Sequence, residues 1–148
     1  MNALGTTSLP NTSQPFTILI VDDNRDFVDL IKRLLDHHGF AAQCAYSGAE
    51  CLEIVRRQTI DLVILDVMMP KMDGLTVCRE LKSIAPALPV FLLTAKDDLA
   101  TRAAAMEFGA SEFLAKPVNV EDFLTRVRTQ CQISRWDKNL ATTLSAAD

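Results

Sequence analysis

An α/β fold, with a parallel sheet covered by helices on both faces, is the architecture this chain predicts. Five short apolar runs alternate with five stretches of helical periodicity. The runs lack the in-out alternation of a half-exposed strand, as expected of strands buried on both faces. Four of them finish on polar groups: Phe16 to Val21 on Asp22 and Asp23, Ile60 to Leu65 on Asp66, Pro89 to Leu93 on Thr94, and Glu112 to Ala115 on Lys116 and Pro117. In an open parallel sheet, ligands bind along the edge formed by the carboxyl ends of the strands. Three carboxylates, a hydroxyl and an ammonium gathered there suit a divalent metal and a phosphoryl group.

Each element has a local reason. Residues 1–15 are rich in Ser, Thr, Asn, Gly and Pro, with too few apolar groups to offset the entropy of ordering, so a disordered arm is expected. From Asn24, the positions Phe27, Leu30, Ile31, Leu34 and Leu35 follow the three-and-four spacing of an amphipathic helix that Gly39 closes. Phe40 to Ala45 reads as a strand. Ser47, Gly48, Ala49 and Glu50 have capping-box spacing, and the helix they open is expected to reach about Arg57. The loop from Asp66 to Asp73 carries Pro70 and leads through Gly74 into a helix marked by Leu75, Cys78 and Leu81, which Pro86 and Pro89 end. An alanine-rich helix begins near Asp97 or Asp98 and closes at Gly109. Asn119 and Asp122 are placed to cap the last helix, with Val118 and Phe123 as a hydrophobic staple. Residues 16–133 make one domain. Ile133, Trp136, Leu140 and Leu144 keep helical spacing, so residues 134–148 read as a partly helical tail or the start of a linker.

Composition narrows the function. A length of 148 residues, 49% of them hydrophobic, suits one domain with a substantial core. A formal charge of −4 argues against a chain whose main work is holding nucleic acid, which usually leaves a basic footprint. Cys44, Cys51, Cys78 and Cys131 lie in apolar stretches without zinc spacing and read as buried free thiols. His37 and His38 end a helix, where positive charge suits the dipole. The first residues lack the basic and apolar regions of a secretory signal, and no apolar run approaches the roughly 20 residues that span a bilayer. A cytoplasmic setting without membrane attachment is expected.

Adjacent carboxylates near a third repel one another unless a cation or proton intervenes. Mg2+ favours such oxygen ligands and keeps waters that a phosphate oxygen can replace. Aspartate can act as a nucleophile toward phosphorus, and phosphoryl transfer needs little beyond positioning and charge neutralisation. Lys116 would hold the phosphate and Thr94 would donate to another of its oxygens. Taken singly, each group has a plainer reading: Asp22 and Asp23 as helix caps, Thr94 as a strand end, Lys116 as a turn lysine, Phe113 as a core aromatic.

In order and spacing, these residues with Pro70, Asp73 and Gly74 make the chain resemble a receiver domain of two-component response regulators, of the CheY-like superfamily. The resemblance covers about Phe16 to Ile133. It implies a flavodoxin-like (βα)5 fold, doubly wound, with strand order 2-1-3-4-5. It implies Asp66 as phosphoacceptor, Asp23 as direct Mg2+ ligand, Asp22 as support through water, and the Met68 backbone carbonyl as a further ligand. Phe113 would be the switch aromatic coupled to Thr94, and the Lys116–Pro117 peptide bond would be cis. Met68 and Lys96, two past Asp66 and Thr94, would tune the lifetime of the phosphoryl group. The expected partner is a sensor histidine kinase or phosphotransfer protein. A homodimer through the fourth helix, fifth strand and fifth helix is also expected, with pairs Arg102 and Asp122, Glu107 and Arg128, Glu112 and Arg126. The chain would not be an enzyme, although it would assist its own phosphorylation and dephosphorylation. Three alternatives stand beside this: a receiver cut from a larger regulator, a pseudo-receiver that is never phosphorylated, and a Mg2+-dependent phosphohydrolase of the haloacid-dehalogenase type. The last usually has a second acid two residues past the nucleophile, where this chain has Met68.

Overall fold

The computed structural model describes residues 14–147, so residues 1–13 of the expected arm lie outside the described residues. Five strands, β1 (Thr17–Val21), β2 (Ala41–Ala45), β3 (Leu62–Asp66), β4 (Val90–Thr94) and β5 (Glu112–Ala115), form one parallel sheet in the order 2-1-3-4-5. Five helices alternate with them: α1 (Arg25–His37), α2 (Gly48–Arg57), α3 (Gly74–Ile84), α4 (Leu99–Glu107) and α5 (Val120–Ala147). This is the flavodoxin-like doubly wound fold.

Alternate side chains of the buried strands feed two cores. Leu19, Val21, Val63, Leu65 and Leu92 pack with Cys51, Val77, Cys78, Leu81 and Ala105 of α2, α3 and α4. Ile18, Ile20, Leu62, Ile64 and Leu93 pack with Val28, Ile31 and Leu35 of α1 and Phe123, Val127 and Cys131 of α5. Both faces of the central strands β1, β3 and β4 are therefore dry, and their interiors are apolar, while the edge strands β2 and β5 stay partly exposed and carry Gln43 and Glu112.

Side chains cap the helices where the sequence offers them. Asn24, Ser47, Asp73 and Asp98 accept hydrogen bonds from Phe27, Glu50, Thr76 and Thr101, and Asn119 Oδ1 accepts from the Asp122 amide. Glu50 reaches back to the Tyr46 amide at 2.7 Å. Val118 and Phe123 pack in the same core, as a staple requires. Gly39 and Gly109 follow α1 and α4 with φ of +90° and +97°, a left-handed turn that glycine adopts without a Cβ clash.

Strand starts differ from expectation by one or two residues. β3 starts at Leu62, not Ile60, and just before it Asp61 brackets Thr17, its amide donating to the Thr17 carbonyl and its carboxylate accepting the Thr17 amide, both at 2.8 Å. At the other end, α5 runs on past residue 133, in line with the helical spacing of Ile133, Trp136, Leu140 and Leu144. Arg135 donates to Asp61 at 3.2 Å and to the Gln14 carbonyl at 2.8 Å, and its guanidinium carbon lies 4.1 Å from the Phe16 ring centroid. This arginine ties α5 to the amino-terminal edge of the sheet.

In the loop between β3 and α3, Lys71 has a φ of 72°, unusual for a residue with a side chain. A left-handed backbone costs such a residue about 1–2 kcal/mol, and glycine offsets part of that gain by its greater freedom when unfolded. Lys71→Gly is expected to raise stability by about 0.5–1 kcal/mol in urea denaturation. A loss of stability would mean that the Lys71 side chain makes contacts that outweigh the strain.

Candidate functional site

Between β1 and β3 the chain reverses its direction of progress across the sheet, and the crevice lies at the carboxyl ends of those two strands. Asp22 follows β1, and its amide bonds the Ala45 carbonyl of β2 at 3.2 Å. Asp66 ends β3 in register with Leu93 of β4. Lys116 follows β5, its amide held by the Thr94 carbonyl at 2.8 Å, so its side chain reaches across the end of β4. There its ammonium meets Asp22 Oδ2 at 2.7 Å and Asp66 Oδ1 at 3.1 Å. The Lys116–Pro117 peptide bond is cis.

Carboxylate oxygens of Asp22, Asp23 and Asp66 all lie within 4.8 Å of one another. Asp22 and Asp66 are only 2% and 5% exposed, whereas Asp23 faces solvent. Burial, then repulsion from Asp22, pushes the Asp66 carboxyl up to about 6, against the pull of Lys116. Burial opposes the charge on Lys116, yet its hydrogen bond to Asp22 and the charge of Asp66 raise its pKa on balance. Three acids and one ammonium leave two negative charges in excess, which fits a hard divalent cation with oxygen ligands.

Around this centre, Thr94 is fully buried and its Oγ1 accepts the Lys96 amide at 3.0 Å. Phe113 is buried on the α4 side, with the Arg102 guanidinium 4.8 Å from its ring centroid. Met68 is 58% exposed and lines an open cleft of about 510 Å³ with Lys96, Thr101 and Asp73. Met68 and Lys96 therefore border one cleft, which Val67, next after Asp66 in the chain, also lines.

Several of the charges expected to meet a second copy make contacts within their own chain. Arg126 is engaged within its own chain, to Glu112 at 2.7 Å and Asp122 at 2.9 Å. Arg102 pairs with Asp97 at 2.9 Å, and Glu107 is exposed at the end of α4. Arg128 stacks over Phe40, its guanidinium carbon 5.5 Å from the ring centroid. Positions 126 and 128 fall roughly 200° apart on a helix of 3.6 residues per turn, which separates the two arginines.

Two features of the site escaped the sequence. Phe27 packs its ring 4.1 Å from the Lys116 ammonium, although its helical spacing marked it only as an apolar position. Gly74 lies against the backbone of Asp66 and Val67. The Asp-Gly pair signalled a turn, but not that close approach.

Residues 18–128 match the response regulator receiver domain family. Response regulator MprA of Mycobacterium leprae (strain TN) is 43% identical over 120 residues, covering 81% of this chain and 53% of that protein. MprA of Mycobacterium sp. (strain KMS) is 41% identical over 114 residues, 77% of this chain and 50% of its own length. The chain spans about half the length of the curated relatives it matches. Among solved structures, a response regulator receiver domain protein from Clostridium thermocellum superposes with a TM-score of 0.74 at 35% identity, covering 85% of this chain and 98% of the other. A CheY-like receiver from Methanospirillum hungatei JF-1 shares the fold, with a TM-score of 0.80 at 23% identity over 84% of this chain and 99% of its own. Among the described residues no helix is long and apolar enough to cross a membrane. On the matched residues, and with the acids, lysine and sheet order those residues build, the chain belongs to the response regulator receiver domain family of two-component signalling.

Proposed function

We propose that Asp66 accepts a phosphoryl group from the phosphohistidine of a sensor histidine kinase or phosphotransfer protein, and that the chain is thereby a phosphorylation-driven switch. The observation that carries this reading is the Lys116 ammonium bridging Asp22 and Asp66 beside a third carboxylate. An Asp66 oxygen attacks phosphorus, its O–P bond forms as the N–P bond breaks, and an imidazole protonated on its other nitrogen leaves neutral. Asp22, Asp23, Asp66 and the Met68 backbone carbonyl would hold Mg2+, which when bound neutralises phosphoryl oxygens. Lys116 supplies a positive charge to the same oxygens, and its charge favours the ionised, nucleophilic form of Asp66.

Thr94 and Phe113 are the expected relay. The Thr94 hydroxyl donates to a phosphoryl oxygen once one is present, and the space beneath it governs the packing of Phe113. Because Phe113 is already buried here, phosphorylation would stabilise this packing against an outward one, a shift of populations between two arrangements.

Incubation with Mg2+ and a small acyl phosphate should add one phosphoryl group, seen by intact mass and released by hydroxylamine. Asp66→Asn is expected to abolish that adduct, and Asp23→Ala to weaken Mg2+ binding. Labelling that persists in Asp66→Asn would reject Asp66 as the acceptor.

A further inference from the structure

We infer that Phe27 is a positioning residue for Lys116, a role that rests on the reading of Asp66 as phosphoacceptor. An ammonium has three N–H donors. In this structure the ammonium lies against Asp22 Oδ2 and Asp66 Oδ1, and the face of the Phe27 ring lies beside it, its centroid 4.1 Å from Nζ. A ring face attracts a cation through its quadrupole, and more strongly where water is kept away. Lys116 is mostly buried here.

The ring is held in place by the same residues it serves. Asp22 Oδ1 accepts the Asn24 amide at 3.0 Å, and Asn24 Oδ1 accepts the Phe27 amide at 3.1 Å. Phe27 then meets Lys116, and Lys116 returns to Asp22 Oδ2. This closed circuit fixes the first turn of α1 against the end of β5. The lysine stem has several rotatable bonds, and a charge so flexible would otherwise sample solvent. Held over the ring, the ammonium keeps a short path from the carboxylates to a phosphoryl oxygen on Asp66. An aliphatic side chain of similar volume fills the core and lacks the quadrupole.

The test uses the full chain, Mg2+ and acetyl phosphate, with no kinase present, so that effects on partner docking do not enter. Phe27→Leu is expected to slow phosphorylation by about three- to tenfold, and Phe27→Tyr to stay within about twofold of wild type. The Mg2+ dissociation constant of Phe27→Leu should match wild type. At saturating Mg2+, adding Phe27→Leu to Lys116→Met should cause no further slowing, since the ring has no ammonium left to hold. Should Phe27→Leu fail to fold, as judged by thermal melting, Phe27→Met takes its place. A rate in the aliphatic variant equal to wild type, a tyrosine variant as slow as leucine, or an undiminished effect without Lys116 would each overturn the inference. A wild type that takes no phosphoryl group would instead defeat the reading of Asp66 itself.

Discussion

Gly74→Ala is expected to destabilise the domain by about 3 kcal/mol or more and to cost the site its geometry. A Cβ on Gly74 would fall on the Asp66 carbonyl oxygen and 2.7 Å from Val67 Cα, both backbone atoms of a central strand and the loop that follows it. Neither can rotate away. The Gly74 amide also donates to the Val67 carbonyl at 2.8 Å, so relief would require α3 to leave the end of β3. The carboxylate of Asp66 would move with it. Gly39 offers the contrast, because a Cβ there has nothing within 4 Å and only its φ of +90° resists substitution. Gly39→Ala should cost only about 1–2 kcal/mol, the price of the left-handed backbone. Urea denaturation of both variants, with phosphorylation of Gly74→Ala as a second readout, checks this. A Gly74→Ala protein within about 1 kcal/mol of wild type would show that α3 shifts freely.

The second large effect concerns Lys116→Met. Removing the ammonium leaves Asp22 and Asp66, both almost fully buried, facing one another without a countercharge. Breaking a buried pair in this way costs about 3–5 kcal/mol, and that is the expected loss at pH 8 without metal. The sign of the pH dependence follows from Asp66. Its folded pKa, about 6, lies above its ordinary 3.8, so between those values the folded state binds more protons than the unfolded one. Metal-free wild type should therefore lose stability as pH rises from about 4 to about 6, and level off above. Without Lys116 the Asp66 carboxyl rises further, and the decline extends to higher pH. The variant should be closest to wild type near pH 5, where Asp66 takes up a proton, and Mg2+ should restore it at pH 8. Denaturation curves at both pH values, with a chelator and with Mg2+, decide the matter. An equal cost at pH 5 and pH 8 would mean that the buried charges are not what Lys116 offsets.

Much of the fold was legible because local signals agreed with one another. The apolar runs, the capping residues Asn24, Ser47 and Asp98, and the glycines after α1 and α4 each specified an element within a residue or two. Where prediction and structure differ, a contact from far along the chain decided the outcome. Asp61 joins the Thr17 peptide, 44 positions away, through both its backbone amide and its carboxylate, and Arg135 joins it from 74 positions away. No window of sequence contains those pairings.

The sequence alone determined which chemical groups arrive at the carboxyl edge, because a strand that ends on Asp66 or Lys116 must present it there whatever the packing around it. The tertiary structure decided how those groups act on one another. It brought Lys116 across β4 to Asp22, 94 positions away, buried Asp66 enough to raise its pKa, and laid the Phe27 ring beside the ammonium. Desolvation and Coulomb energy depend on distance and dielectric, and both are properties of the packed domain, not of residue order.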